Sequence, residues 1–285
     1  MAKYAVFTMD VESFADTECI SRSSYKDTDL DLMDGFDEYI GLLDRYGIKS
    51  TLFTVGRFAP KIADRLKKCI AAGHRLALHS YDHTAPMNMT PEQFRADTRF
   101  AKELIYDKFG VEVEGFRAPC FSMDKERLDI LRELGFKYDS SHLDFSKARY
   151  TTELDLSGFD KLTDGVYKSG DFYEFGLAKE NVFGMPFPIS GGGYVRLSNW
   201  GFIKNLIWNH IRKNNYYVFY LHPFELTKQK IPFISDLKSY DKYYIKAGIK
   251  SYAFKVEQII KMLTKCGYTF VTFEKLSQLM SVGAI

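Results

Sequence analysis

Apolar stretches of strand length alternate along the chain with longer stretches in which apolar residues recur at helical spacing. The predicted strands are, in order, YAVFTMD, STLFTV, HRLALH, VEGFR, FKYD, NVFGMPFP, YYVFYLH and YTFVTF. Alternation of strands with helices predicts a mostly parallel sheet that is covered by helices. Because the chain holds seven or eight such units, we predict a closed or partly closed α/β barrel over residues 1–285. An open doubly wound sheet is the alternative.

Two segments qualify this pattern. A polar, irregular segment at about 142–180 is long for a connection, so we predict an insertion that lies over one face of the barrel. The predicted helix that begins near Trp200 carries an apolar stripe, which indicates a helix that covers the barrel. The same stripe would also permit peripheral contact with a membrane surface.

The composition is that of an ordinary globular protein, because 46% of the 285 residues are apolar and 27% are charged. A formal net charge of +2 without a dense basic stripe gives no indication of nucleic acid binding. We find no apolar run of transmembrane length and no signal peptide, so a cytoplasmic location is expected. The four cysteines are scattered without C-x-x-C spacing, which favours reduced thiols.

Polar residues that suit catalysis stand at the ends of the predicted strands. In a parallel α/β barrel the carboxyl ends of all strands point to one face, so their side chains converge on one cleft. The residues concerned are Asp10, Glu12, His79, His83, Arg117, Asp139 and His222. Each alone has an ordinary explanation, such as a loop cap, a surface ion pair or a buried histidine. Their joint placement is what indicates an active site.

Carboxylates and histidines in this set form a candidate metal site. Asp10 and Glu12 are two residues apart, which puts both on one side of a strand. His79 and His83, four residues apart, would share one face of a helical turn, as paired metal-binding histidines do. Two imidazoles and one carboxylate leave positions open for water and suit Zn²⁺, with Co²⁺, Ni²⁺ or Fe²⁺ as alternatives. The H-E-x-x-H sequence of zinc proteases is absent, because Ser80 follows His79.

Five segments resemble, in order, the five motifs of the polysaccharide deacetylases, the NodB-homology domain of carbohydrate esterase family four. These segments are FTMDVES, GHRLALHSYDH, GFRAPCFS, KYDSSHLDF and FYLHPFEL, and the resemblance runs from about Tyr4 to Phe273. The resemblance implies a distorted (β/α) barrel of seven or eight strands in a single domain. It also implies metal-dependent removal of acyl groups, usually N-acetyl groups, from sugars. FPISGGGYVRL resembles the branch of the family that acts on surface glycans and looks intracellular.

The resemblance implies a role for each matching residue of the acid–base machinery. Asp10 would be the catalytic base, and Arg117 would orient it. His222 would be the general acid, with Asp139 as its supporting carboxylate.

The metal ligands are implied in the same way. Glu12 stands where the family has a metal-binding aspartate, and His79 and His83 complete the ligands. The D-V-E sequence departs from the adjacent aspartates of many members, and the longer glutamate side chain affects metal geometry more than fold. The backbone N–H of Tyr81 would stabilise negative charge on the substrate carbonyl oxygen. The expected substrate contacts are Tyr81, Pro119, Gly192 and Tyr194.

Three functions remain open from the sequence. The first is deacetylation of an N-acetylated sugar, linked to a nucleotide or a lipid, in cytoplasmic synthesis of surface polysaccharides or glycoconjugates. The second is hydrolysis of a small cyclic amide that is not a sugar. The third is a catalytically inactive, glycan-binding homologue. Asp10, Arg117 and His222 argue against the third, because binding alone needs neither an acid nor a base.

Overall fold

The computed structural model describes residues 2–143 and 154–281. Its strands are β1 (Lys3–Val11), β2 (Thr51–Thr54), β3 (Arg75–Leu78), β4 (Gly115–Phe116), β5 (Tyr138–Asp139), β6 (Asp160–Thr163), β7 (Val166–Ser169), β8 (Phe172–Phe175), β9 (Lys179–Val182), β10 (Met185–Pro188), β11 (Tyr216–Leu221) and β12 (Tyr268–Phe270). Its α-helices are α1 (Glu18–Ser21), α2 (Asp34–Asp44), α3 (Ala63–Ala71), α4 (Pro91–Phe109), α5 (Lys125–Glu133), α6 (Gly192–Leu197), α7 (Trp200–Lys213), α8 (Ser239–Tyr244), α9 (Ile249–Lys265) and α10 (Phe273–Ser281).

Parallel strands form a curled sheet, which confirms the predicted distorted barrel. Their order is β11-β1-β2-β3-β4-β5-β8, and β12 pairs with the first residues of β1. Every pair along this path is parallel. β7 and β6 then extend the sheet in antiparallel fashion beyond β8.

Single hydrogen bonds connect the β8 side of the sheet back to β11. These bonds run from Ile189 N to Ala178 O (3.0 Å) and from Tyr220 N to Ser190 O (2.8 Å). The segment after β8 is also bonded to the segment after β5, from Leu177 N to His142 O (3.1 Å). Gly191 is required at this seam, because its φ is 121° and a Cβ there would lie 2.0 Å from the Tyr220 carbonyl oxygen. The irregular seam distorts the barrel.

Successive side chains of β1 point to opposite faces of the sheet. The odd-numbered side chains from Ala5 to Val11 are buried in the core between the sheet and the helices. Val6 belongs to the apolar cluster inside the barrel. Because successive side chains of a strand alternate, Thr8 and Asp10 continue this inner face toward the barrel mouth.

Two of the predicted segments differ in the structure. NVFGMPFP is not a barrel strand, because β9 and β10 pair as a separate antiparallel hairpin. Its turn contains Phe183 and Gly184, both with positive φ, so the apolar run is broken. The segment at 142–180 is not irregular where it is described: β6, β7 and β8 add to the main sheet. Residues 144–153 of this segment lie outside the described residues.

Helix boundaries follow local signals in the sequence. α4 begins after Thr90, whose side chain accepts a hydrogen bond from Gln93 N in a capping box, and the C-cap of α4 is Gly110 with φ 67°. The isoleucines of the α7 stripe are buried in the main apolar core, so this helix covers the barrel as predicted. Over 2–143 and 154–281, no helix combines the length and the apolar character needed to cross a membrane.

Candidate active site

A cavity of about 760 Å³ opens at the carboxyl ends of the barrel strands. Asp10, Glu12, His79, His83 and His222 all contribute to its wall. The parallel strand order therefore brings together side chains from the two ends of the chain, as the position of these residues at strand ends predicts.

Glu12, His79 and His83 form a compact cluster of potential metal ligands. Their ligand atoms all lie within 4.8 Å of one another. Glu12 Oε2 is 2.7 Å from His83 Nε2 and 4.0 Å from His79 Nε2. Because zinc bonds to such atoms are about 2.0–2.2 Å long, one ion fits among the three atoms after small side-chain movements.

The two histidines do not share a helical turn, which corrects the expectation from their spacing. They lie in the loop after β3, where Ser80 and His83 have left-handed backbones with φ of 60° and 68°. Ser80 Oγ accepts a hydrogen bond of 2.9 Å from His83 N, which stabilises this tight turn. The turn places the centroids of the two imidazole rings 5.2 Å apart.

The protonation of His79 and Glu12 fits a divalent metal. His79 Nδ1 donates to the Arg117 carbonyl oxygen at 2.7 Å, so its Nε2 keeps the lone pair that a metal needs. Burial lowers the pKa of His79 to about 4, and its imidazole is neutral at pH 7. Burial would raise the pKa of Glu12, but the charges of His83 and His222 and the hydrogen bond with His83 lower it to about 2. Two nitrogens and one carboxylate oxygen are a common zinc donor set.

Arg117 lies inside the barrel and binds the carboxylate of Asp10. Its Nη1 donates to Asp10 Oδ1 at 2.7 Å and to Thr8 Oγ1 at 2.9 Å. Its Nε and Nη2 donate to the carbonyl and hydroxyl oxygens of Ser140 at 3.0 Å and 2.9 Å. The guanidinium also stacks over the Phe53 ring at 4.1 Å. These contacts fix Arg117 inside the barrel. The fixed guanidinium in turn orients the Asp10 carboxylate and balances its negative charge.

His222 is supported by Glu225, one turn further along the chain. His222 Nδ1 is 3.1 Å from Glu225 Oε2, and Glu225 Oε1 accepts a hydrogen bond of 2.8 Å from the buried Arg196. Burial would lower the pKa of His222, but the charges of Glu12, Glu225 and Asp10, with the Glu225 hydrogen bond, raise it to about 9. The imidazole is therefore charged at neutral pH, and its Nε2 lies 3.9 Å from Asp10 Oδ2.

Asp139 does not contact His222, which corrects the role expected for this carboxylate. Tyr138 belongs to the apolar cluster inside the barrel, and Ser140 also faces inward. Alternation along the strand therefore directs Asp139 to the outer face of the sheet. There Asp139 accepts hydrogen bonds from the backbone N–H and the hydroxyl of Ser141, both at 2.9 Å.

Tyr81 does not have the free backbone donor that the sequence suggested. Its N–H already donates to Asp97 Oδ2 at 3.0 Å. Its ring packs edge-on against Phe100, with 4.9 Å between ring centroids. The expected stabilisation of a carbonyl oxygen by this N–H is therefore wrong, because the donor is taken.

Not all of the other expected substrate contacts reach the cavity. Tyr194 lines the cavity, and Gly193 does so beside it. Gly192 instead packs against Tyr220, since a Cβ on Gly192 would lie 2.6 Å from the Tyr220 hydroxyl. Pro119 is buried, while the residues on either side of it reach the cavity.

Three parts of the site were not predicted from the sequence. Glu225 had a signal, because H-P-F-E has the spacing of a capping box, and the Glu225 side chain accepts a hydrogen bond of 3.0 Å from the backbone N–H of His222. Arg196 had none, since its pairing with Glu225 exists only in the folded chain. The third part is the wall formed by residues 236–244, including Tyr240 and Tyr244, which belongs to no motif.

Comparison with known proteins agrees with this architecture. Residues 28–138 match the polysaccharide deacetylase family, and residues 149–276 match a domain of unknown function, DUF3473. The peptidoglycan deacetylase of Helicobacter pylori is 31% identical over 114 residues, which are 39% of this chain and 39% of that protein. Chitin deacetylase 1 of Cryptococcus neoformans is 28% identical over 34% of this chain and 20% of that protein. The matched region is therefore less than half the length of these relatives.

Two solved structures share the fold. A Mycobacterium smegmatis protein assigned to the polysaccharide deacetylases aligns over 100% of this chain and 93% of its own, at 16% identity and a TM-score of 0.62. The Xyl-CE4 domain of a multidomain xylanase from the hindgut metagenome of Trinervitermes trinervoides aligns over 99% and 92%, at 17% identity and a TM-score of 0.54. The fold is that of a carbohydrate esterase family four barrel. Over residues 28–138 the chain is similar to the polysaccharide deacetylase, or NodB-homology, family.

Proposed function

We propose that the protein is a metal-dependent deacetylase that hydrolyses the N-acetyl group of a sugar. One observation carries this proposal: the cluster of Glu12, His79 and His83 shares a cavity with a carboxylate and a charged imidazole, Asp10 and His222, that face each other. A glycan-binding protein needs no such pair, whereas amide hydrolysis needs both a base and an acid. The match of residues 28–138 to the polysaccharide deacetylase family supports a carbohydrate amide as the substrate.

In this mechanism the residues of the chain divide the proton transfers. A dication held by Glu12, His79 and His83 would polarise the amide carbonyl and acidify a water molecule. Asp10, whose charge Arg117 balances, accepts a proton from the attacking water. His222 donates its Nε2 proton to the amine nitrogen as the carbon–nitrogen bond breaks. The products are acetate and the free amino sugar.

We expect Glu225→Gln to move the alkaline limb of the kcat/KM profile to lower pH. Glu225 helps to raise the pKa of His222 to about 9, and the protonated acid is lost as the pH rises through that pKa. Without the Glu225 charge, this loss begins at a lower pH. A bound dication lowers the pKa of His222 in both proteins, so both are measured with the same metal bound.

A second pair of histidine and carboxylate provides the control for this measurement. Glu180 Oε1 lies 3.2 Å from His210 Nδ1, and neither residue lines the cavity. Glu180→Gln should leave the alkaline limb unchanged. An identical profile for Glu225→Gln and the parent protein would exclude Glu225 from the support of His222.

We propose an N-acetylated sugar joined to a nucleotide or lipid carrier, met on the cytoplasmic side, as the specific substrate. The cavity volume of about 760 Å³ is in the range of pockets that enclose one small ligand. Tyr194 and Tyr240, 40% and 69% exposed, offer aromatic faces to a sugar ring in its wall. A second depression of about 530 Å³ adjoins Glu12 and leaves room for the group attached to the sugar.

Acetate release tests the substrate directly. The metal-loaded protein is given chitin oligomers, nucleotide-linked and lipid-linked N-acetyl sugars, and ureide-type ring amides, with Asp10→Asn protein as the blank. We expect the fastest release from a carrier-linked sugar. Faster release from long chitin oligomers would refute the carrier-linked substrate, and activity on ring amides alone would refute the sugar. No release from any substrate would favour the inactive homologue.

A further inference from the structure

Two buried carboxyl groups lie side by side behind the catalytic base, on adjacent strands of the barrel. Asp139 on β5 and Glu174 on β8 are direct partners in the parallel pairing of these strands. Both side chains are completely buried, and one backbone N–H, that of Ser141, donates to both of them, to Asp139 Oδ2 at 2.9 Å and to Glu174 Oε1 at 3.0 Å. The mechanism above uses neither group.

The surroundings of Asp139 and Glu174 offer too few hydrogen-bond donors for both groups to be ionised. Glu174 Oε1 accepts from the backbone N–H groups of Ser141 and His142, at 3.0 Å and 2.9 Å. Asp139 uses both of its oxygens on Ser141. Glu174 Oε2 has no donor among the described residues of the protein. A buried carboxylate oxygen without a donor is costly, whereas a protonated carboxyl group brings its own donor.

The charges that face the pair agree with one shared proton. The charge of Arg117 acts on Asp139, and Tyr216 is a further titratable group near Glu174. Burial and the neighbouring Asp139 raise the pKa of Glu174 well above its usual range. Two like charges this close in a buried site cannot both be retained at neutral pH, so one group keeps its proton.

The pair also fixes the backbone on which Arg117 rests. The hydrogen bonds of Asp139 and Glu174 hold residues 141 and 142, and Ser141 Oγ in turn accepts from the N–H of Ala118. Ser140 lies between these anchors and accepts hydrogen bonds from Arg117 through both its carbonyl and its hydroxyl oxygen. A shift of residues 140–142 would therefore move the guanidinium that orients Asp10.

We propose that Glu174 is a positioning residue for the catalytic base: it remains protonated, donates to Asp139, and so holds residues 140–142 and Arg117 in place. The role of Arg117 and Asp10 in this statement rests on the proposed function. The protonation of Glu174 and the order of Arg117 do not, and each is measured separately from activity.

Carbon-13 NMR of zinc-loaded protein labelled at the glutamate carboxyl carbons tests the protonation. Glu174→Gln identifies the Glu174 signal by its disappearance. We expect that signal at the position of a neutral carboxylic acid at pH 7. A carboxylate signal for Glu174 at pH 7 would overturn the proposal, whatever the activity of the protein.

A second measurement tests positioning through the Nε–H resonance of Arg117, which should be protected from exchange by its bond to Ser140. Glu174→Ala should lose this protection, and Glu174→Gln should keep it, because an amide donates to Asp139 and accepts from the same backbone N–H groups. If Glu174→Ala does not fold, Glu174→Leu takes its place. Protection that is unchanged in the apolar variant would overturn the positioning role.

Kinetics complete the test at a temperature well below thermal unfolding. Glu174→Ala should lower kcat by about 10- to 100-fold with KM and metal content nearly unchanged, the scale expected for a small displacement of a catalytic group. Glu174→Gln should restore kcat to within about threefold of the parent, and Glu180→Gln serves as the control for a Glu to Gln change elsewhere. A kcat for Glu174→Gln as low as that of Glu174→Ala would show that the negative charge of Glu174, and not a shared proton, supports catalysis, and would overturn the proposal.

Discussion

Asp10→Asn and His222→Ala are each expected to lower kcat by about two to four orders of magnitude, the usual scale for general acid and base groups. Asn at position 10 still accepts a hydrogen bond from Arg117 but no longer takes a proton from water. Ala at position 222 leaves the departing amine without a proton donor. The measurement is acetate release by metal-loaded protein on the best substrate found.

Metal content and a matched variant separate this loss from general damage. Neither Asp10 nor His222 belongs to the ligand cluster, so both variants should fold and keep their metal. Asp10→Asn should also lower the thermal unfolding midpoint, because Arg117 is completely buried and loses its counter-charge. Asp44→Asn, an exposed carboxylate at the end of α2, should leave kcat unchanged. Near-normal activity of His222→Ala at neutral pH would remove His222 from the mechanism.

His79→Ala is expected to reduce bound metal from about one ion per chain to almost none, and activity with it. Two of the three ligand atoms, from Glu12 and His83, would remain, and a two-ligand site binds zinc weakly. Elemental analysis of protein purified without chelator gives the stoichiometry. Added zinc at high concentration should restore part of the activity to Glu12→Asp, which keeps a carboxylate, and none to His79→Ala.

The control for the metal measurement is a buried histidine outside the cavity. His210 pairs with Glu180 and is as deeply buried as His79, so His210→Ala tests the effect of losing a histidine from the core. It should retain the metal of the parent protein. Equal metal content in His79→Ala and the parent would exclude the proposed ligand cluster.

The sequence was sufficient for features that arise within one strand or one turn. Alternation in YAVFTMDVE placed Asp10 and Glu12 on the same side of β1, because successive side chains of a strand point to opposite faces whatever surrounds it. Parallel strands then brought Arg117 and His222 to the same face as His79. The capping box of α4 and the cover provided by α7 also followed from local patterns.

Only the tertiary structure decided which partners these residues have. The spacing of His79 and His83 suggested a helix, but hydrogen bonding by Ser80 and left-handed backbones produced a loop instead. Asp139 carried the expected carboxylate but faces away from His222, because the register of β5 sends Tyr138 and Ser140 inward. The physical reason is that periodicity is a property of neighbouring residues, whereas strand register and long-range pairs such as Glu225 with Arg196 depend on how the whole barrel closes.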